Sequence, residues 1–404
     1  MTDPTAFELG DARPATVTRA AVVGMGTMGS RIAQAVAMAG VPVVVVEEDA
    51  AVLTRGSQRI RASLEKRVAQ GRLDCAARDQ MLASLTATAD LTAVGGADLV
   101  IEAVFEDLDV KRRVLAQVES VCRREAVVAT NTSTINLDRL AERLERPDRL
   151  VGMHFFNPAH VIPLVEIIRR DATPPEPLAT VLGFTRRIGK RPVLLRNREG
   201  FLVNRIFIPY LKEAFLLLED GADPVEVDAA MVEFGFPMGT LAVADLAGID
   251  IIVNAAGVME HVFAHHGPTS AIAIRLVESG QLGQKSGAGV YRYEPGDTTP
   301  HPSGLAQQVI AGVQQGFGRK PQGLGRQEIV RRLVYRMVAE AFRVIEERVA
   351  ASESDVDVAT VLGVGFPDSR GGVMNFARDL GLDAVRAELQ VLSARCGPRY
   401  ELRE

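Results

Sequence analysis

At 404 residues, with 47% apolar and 24% charged residues, the chain is sized for roughly two to three domains, and its composition excludes disordered, collagen-like and disulfide-scaffold proteins. Forty-six Lys and Arg against 51 Asp and Glu leave a net charge of −5, which argues against a generic nucleic-acid partner. The three cysteines, Cys75, Cys122 and Cys396, lack any CxxC or zinc spacing and read as free thiols in a reducing cytoplasm.

The opening segment, MTDPTAFELGDARPATVTR, mixes acids with prolines and lacks the apolar stretch of a secretory signal, so residues 1–18 are expected to form a flexible arm. From Arg19 onward short apolar runs alternate with amphipathic stretches: AAVVG, VPVVVV, ADLVIEAV, AVVATNTS and LVGMHFF. Runs that are apolar at every position belong to strands covered on both faces, and this predicts a doubly wound α/β domain over 19–199. The charged excursion LTRGSQRIRASLEKRVAQGRL between the second and third strands is longer than a crossover needs, and a helical hairpin projecting from the sheet is expected there.

Beyond Gly200 helical periodicity takes over. The richest apolar stretch, Phe201 to Leu218, is broken by Arg205, Lys212 and Glu213 and falls short of a membrane span. A Pro-, Gly- and Thr-rich linker from Pro295 to Ser303 marks a boundary between two helical domains, 200–296 and 297–404. These resemble each other: EAF at 213–215 recurs at 340–342, GFP at 235–237 recurs at 365–367, and Asp228 recurs as Asp357. The second domain therefore reads as a duplicate of the first, about 130 residues on.

GMGTMG, residues 24–29, follows the first strand and opens a helix, which is the setting of a dinucleotide-binding loop. Gly24 allows the tight turn, Gly26 lets a pyrophosphate approach the backbone, and Gly29 allows close helix packing. Glu47, at the end of the next strand, is placed to bind an adenosine ribose and to repel a 2′-phosphate, favouring NAD over NADP. In MHFFNP and VIPLVEII, a strand, a Pro-containing turn and a strand can bring His154 to Glu166, a base with an orienting carboxylate. A histidine beside two phenylalanines is equally consistent with a satisfied core residue. His261, His265 and His266 in EHVFAHHG invite a metal, but no acidic ligand follows at a recognisable spacing. A helix C-terminus complemented by imidazolium accounts for them better, and no metal is expected.

Taken in order, GMGTMG, ADLVIEAVFEDLDVKRRV, ATNTSTI, GMHFFNPAHVIPLVEI, EGFLVNRI, GFPMG and LGQKSGAGVYRY closely resemble the L-3-hydroxyacyl-CoA dehydrogenases of fatty-acid oxidation. The repeat beyond Tyr293 resembles the doubled C-terminal region of bacterial multifunctional β-oxidation proteins. The resemblance implies NAD-dependent oxidation of an L-3-hydroxyacyl-CoA, with His154 as catalytic base, Glu166 as its partner, and Ser133 and Asn204 facing the substrate oxygen. Apart from it, Ser133 reads as a strand-end turn residue and Asn204 as a helix cap. It further implies that Gly24, Met28, Glu47, Val104, Glu106, Lys111 and Asn157 line NAD.

Coenzyme A contacts are implied on the basic excursion, with Ser63 and Lys66 as candidates. Most of its charges, Arg55, Arg59, Arg61, Arg67 and Arg72 among them, fit a solvated helix face as well. No hydratase domain precedes the dehydrogenase motifs, so a dehydrogenase step alone is expected, with a hydratase or thiolase as the partner to look for. The second repeat carries Arg331 where the first has Asn204, and is expected to be structural support within an internal pseudo-dimer, leaving the chain a monomer. A non-catalytic or complex-docking member of the family and a dehydrogenase of free hydroxy acids stay open as alternatives.

Overall fold

In the computed structural model of the chain, residues 9–318 and 323–402 are described. Contacts divide the chain into two compact units, one running to residue 201 and including 348–355, the other comprising 202–347 and 356–404.

The first unit is built on an eight-stranded sheet. Its strands are β1 (Ala20–Val23), β2 (Val43–Val46), β3 (Leu85–Thr88), β4 (Leu99–Glu102), β5 (Val127–Thr130), β6 (Leu150–Phe155), β7 (Leu164–Arg169) and β8 (Arg191–Arg196). The order is β3-β2-β1-β4-β5-β6-β7-β8. Alternate residues of the central strands fall into two separate buried clusters: Ala20, Val22, Val43 and Val45 in one, Ala21, Val23, Val44 and Val46 in the other. Both faces are thus covered, which explains the unbroken Val runs. Helix α1 (Thr27–Met38) packs Ile32 and Val36 on one face, and α4 (Leu108–Val121) packs Leu115 and Val118 on the other; α2 (Ala50–Ala69) and α3 (Cys75–Ala83) lie between them in the chain, and α5 (Leu137–Ala141) and α6 (Pro175–Arg187) follow.

The sheet is not parallel throughout. β7 runs antiparallel to β6, and β8 parallel to β7, so the doubly wound part ends at β6 and a hairpin extends it. The pattern does not announce strands β3 and β8, since LTAT is nowhere fully buried and RPVLLR begins on charge and proline. The basic excursion therefore does more than project. Its helix α2 buries Ile60 and Leu64 in the core, and α3 leads into the edge strand β3.

Residues 9–18, expected in a flexible arm, are tied down. Val17 is buried, the Ala15 amide donates to Thr180 Oγ1, and Thr18 donates to Asp98 from both amide and hydroxyl. Residues 1–8 lie outside the described residues. A short return from the second repeat also joins this unit, where Arg196 donates its amide to the Val349 carbonyl and Leu195 bridges Ala350.

The second unit is helical. In its first repeat, α7 (Val203–Glu219) is followed by α8 (Pro224–Phe234), α9 (Thr240–Ala247), α10 (Ile249–Val262) and α11 (Ala271–Glu278); α12 (Gly304–Gly316) precedes the second repeat, α13 (Arg326–Glu346), α14 (Glu353–Ala359), α15 (Val373–Leu380) and α16 (Leu382–Cys396). The two long helices α7 and α13 pack on each other and hold both repeats in one compact unit. The 295–303 segment is closed by a two-residue pairing of β9 (Tyr291–Arg292) with β10 (His301–Pro302).

Local details repeat as well. Asp228 accepts the Leu241 and Ala242 amides at the start of α9, and Asp357 accepts the Met374 and Asn375 amides at the start of α15. Glycines in positive-φ conformations, Gly248 and Gly381, join α9 to α10 and α15 to α16. A Cβ on Gly235 would meet Pro367, and one on Gly365 would meet Pro237, so each GFP turn seats the proline of the other. Among the described residues no single helix is long and apolar enough to cross a membrane, although the bent pair α9 and α10 passes that test together.

Candidate active site

The Gly-rich loop is shaped by contacts that forbid side chains. Gly24 has φ of 103°, and a Cβ there would lie 2.7 Å from the Ala103 carbonyl oxygen; a Cβ at Gly29 would collide with the carbonyl of Gly24. At Gly26, the N-cap of α1, a Cβ would meet nothing within 4 Å. That open backbone beside a helix N-terminus suits the pyrophosphate of a dinucleotide.

Glu47 leaves β2 and accepts the Met25 amide at 3.0 Å with one oxygen and the Asp49 amide at 3.1 Å with the other. Its carboxylate is therefore oriented beside the loop and retains lone pairs for a ribose hydroxyl. Met28 is half-buried against the α1 side of the core. The residues that frame the site thus fit NAD.

A buried network that motif spacing could not show supports the ends of β4 and β5. Glu102 accepts from Lys111 Nζ at 2.9 Å, from Thr130 Oγ1 at 2.6 Å and from the Val104 amide at 2.7 Å. Lys111, implied at the cofactor, is enclosed by Glu102, by the Val104 carbonyl and by Glu106 at 3.3 Å. Its ammonium is buried and already satisfied by these groups. Glu106 accepts from Thr132 Oγ1, from the Ser133 amide at 2.8 Å and from the Thr134 amide. Reduced solvent around Glu106 would raise its pKa, but the Lys111 charge and these donors hold it below the usual carboxylate range.

His154, at the end of β6, pairs in register with Glu166 on β7. Its Nδ1 lies 2.6 Å from Glu166 Oε2. The histidine is 6% exposed and the glutamate fully buried. Phe156 and Phe201 hold the imidazole by ring contacts at 4.5 and 5.7 Å. A carboxylate at Nδ1 fixes the proton there and leaves Nε2 as the basic nitrogen. Asn131, one residue past β5, accepts the Phe155 amide and ties the two strand ends together. Ser133 sits on this same turn, next to Glu106. Asn204 lies in the other unit, half-buried in the first turn of α7, two residues beyond the cap position, which Leu202 occupies.

Asn157 is exposed just beyond β6, and its carbonyl accepts from Arg31. Arg59 donates to the Gly26 carbonyl at 3.0 Å and to Ser30 Oγ at 2.8 Å, bracing the loop from α2. Sequence alone does not separate Arg59 from the solvated charges around it, because its target is distant in the chain. Ser63 lies one turn further along that face and accepts from Gln34, while Lys66 is exposed.

Comparison with known proteins agrees with this geometry. Residues 19–198 match the family model described as 3-hydroxyacyl-CoA dehydrogenase, NAD binding domain, and residues 200–293 with 329–404 match its C-terminal domain. The crystal structure of (S)-3-hydroxybutyryl-CoA dehydrogenase from Ralstonia eutropha is 36% identical, with a TM-score of 0.67 over 69% of this chain and 100% of that one. The chain belongs to the 3-hydroxyacyl-CoA dehydrogenase family.

The 3-hydroxybutyryl-CoA dehydrogenase of Escherichia coli matches this family member along nearly its whole length, covering 96% of this chain and 97% of that one at 29% identity and a TM-score of 0.84. A peroxisomal bifunctional enzyme from Cavia porcellus is 37% identical over 94% of this chain and 53% of its own. The chain spans about half the length of the curated relatives it matches.

In this dehydrogenase family member the paired histidines need a different account from the one their spacing suggested. His265 and His266 sit in a turn after α10 and face the buried carboxylate of Glu340, brought from the second repeat, at 3.1 and 3.2 Å. Burial pushes His266 down to about 3, so it is neutral and cannot complement a helix dipole as imidazolium. Glu340 also pairs with Arg205, Arg336 and Arg343. Burial would raise its pKa, but the Arg336 charge and the hydrogen bonds from His265 and His266 hold it well below the usual range, and the three guanidinium groups around it oppose a further cation. The side chain of His261 lies outside the described residues.

Proposed function

We propose that the protein catalyses the reversible NAD-dependent oxidation of an L-3-hydroxyacyl-CoA to the 3-ketoacyl-CoA. The observation that carries this reading is the His154 and Glu166 pair at 2.6 Å, on adjacent strands of the sheet that bears the Gly24–Gly29 loop. Nε2 of His154 takes the hydroxyl proton, and Glu166 stabilises the imidazolium that forms while holding the ring in place. NAD, bound over Gly24, Gly26, Met28 and Gly29 with its ribose at Glu47, supplies the hydride acceptor. Val104, Glu106 and Asn157 border the nicotinamide side, and Lys111 fixes the loop beneath them. Ser133 and Asn204 hold the substrate oxygen so that proton and hydride leave in register. Ser63 and Lys66 contact coenzyme A, with Lys66 offering a mobile positive charge to its phosphates.

The reading extends to assembly and place of work. The repeats cover each other's long helices, which favours a monomer, with a hydratase or thiolase as transient partner. The exposed or half-buried free cysteines suit the reducing cytoplasm.

A spectrophotometric NADH assay with 3-ketoacyl-CoAs from acetoacetyl-CoA upward tests the activity. Oxidation of NADH by these thioesters and by none of the free keto acids is the expected result; turnover of the free acids alone would reject the reading. Light scattering should give the mass of one chain.

A further inference from the structure

The two repeats provide an internal comparison for a surface that the mechanism has not used. Helices α9 and α10 correspond to α15 and α16 at a constant offset of 133 residues, through Gly248 and Gly381. Inward positions stay apolar in both copies: Ile252, Ala256 and Met259 match Val385, Leu389 and Leu392, all buried. Outward positions differ. Leu246, Ile251, Ala255 and Val262 in the first repeat match Asp379, Ala384, Glu388 and Arg395 in the second, while Val258 matches Val391.

Ile251, Ala255, Val258 and Val262 form a stripe along α10 by helical spacing, and Leu246 precedes it near the end of α9. Leu246, Ile251, Val258 and Val262 are 57%, 55%, 48% and 44% exposed. Water against such a stripe is unfavourable, and the second repeat shows that this fold carries charge there without difficulty.

The stripe is continuous with the residue assigned to the substrate oxygen. In the second repeat Arg331, the counterpart of Asn204, pairs with Glu388, the counterpart of Ala255. In the first repeat Ile208, one turn beyond Asn204 on the same face of α7, packs with Ala256, Met259 and Phe263, and Ala255 lies against this cluster. Helix α10 therefore runs beside the Asn204 face of α7. From Ile251 to Val262 the stripe is about 16 Å long at the helical rise per residue.

We propose that Leu246, Ile251, Ala255, Val258 and Val262 form the track for the aliphatic chain of the acyl thioester and set a preference for long chains. This rests on the dehydrogenase reading above. The thioester's polar end is held at Asn204, and each added methylene along the chain removes apolar surface from water against α10.

The test compares kcat/KM for 3-ketododecanoyl-CoA with that for acetoacetyl-CoA, in the full chain and in Ile251→Ala/Val262→Arg, which gives both positions their second-repeat residues. Wild type should favour the longer substrate by about tenfold or more, and the variant should reduce that ratio by about fivefold or more, mainly through KM. Val258→Asn gives the same comparison if the double variant lacks a cooperative thermal transition. Turnover of both thioesters with an unchanged ratio in a folded variant overturns the proposal alone. No turnover of either by wild type overturns the dehydrogenase reading and the proposal with it. A wild-type dimer that the variant dissolves, with no change in ratio, assigns the face to a second copy of the chain and overturns the proposal.

Discussion

Arg205 on α7 reaches Glu347 at 2.8 Å, and its counterpart Arg332 on α13 reaches Asp220 at 2.7 Å. Each arginine also meets the glutamate of the other copy's EAF sequence, Arg205 with Glu340 and Arg332 with Glu213. The four acids and two bases are related by the same 127-residue offset, so the repeats exchange ion pairs as two subunits do across a two-fold axis. Both arginines are buried, and a cation there without its acids would be far costlier than an apolar side chain.

Arg332→Met should therefore destabilise the protein by about 3–5 kcal/mol, because Glu213 stays buried with Arg399, at 2.6 Å, as its one remaining cation among the described residues. Adding Glu213→Gln should recover part of the loss. Denaturant midpoints measure both, and a loss below about 1 kcal/mol in the single variant would show that the pair contributes little.

His154→Ala should lower kcat by about 10²–10⁴ while NAD binding, followed by fluorescence quenching, stays nearly unchanged. Near-normal turnover removes His154 from the mechanism. Glu166→Gln keeps the shape but loses the charge facing Nδ1, so the pH profile of kcat/KM should move along with the rate. An unmoved profile would leave Glu166 a merely structural neighbour.

Glu47 should make kcat/KM for NADH exceed that for NADPH by at least about 10², since a 2′-phosphate would meet a carboxylate held by two backbone amides. Glu47→Gln should narrow the gap, and equal values in wild type would mean that the carboxylate does not face the ribose.

Stability should carry a pH signature from the second unit. Burial pushes the carboxyls of Asp228 and Asp245 up to about 6, against backbone amides that pull the other way. The fold thus favours their protonated forms, and the resulting stabilisation is complete below about pH 4 and lost as pH rises through 6. Asp245→Asn, neutral at every pH, should gain on wild type by on the order of 1–2 kcal/mol between pH 5 and 7.5 in thermal or denaturant unfolding. A constant offset between the two proteins would show that Asp245 titrates as an ordinary aspartate.

Local chemistry was sufficient for the parts of the molecule that depend on neighbours in the chain. The all-apolar strands announce a sheet covered on both faces, the spacing of Gly24, Gly26 and Gly29 announces the loop, and the twelve residues from His154 to Glu166 span one hairpin. The repeat is legible for the same reason, because it is a pattern within the sequence itself. Distant partners are not written in this way. That Arg59 would brace Gly26, that Lys111 would be enclosed beside Glu102, and that Glu340 would meet His266 and, from 75 residues away, His265 follow only from packing, which chooses among many equally charged candidates by geometry and desolvation. Strands β3 and β8 are not legible in the sequence because edge strands draw their stability from the neighbour they pair with. The outward face of α10 shows both halves at once: sequence decides that it is apolar, and only the fold decides that it is left exposed beside Asn204's helix, because burial is a property of the assembled chain.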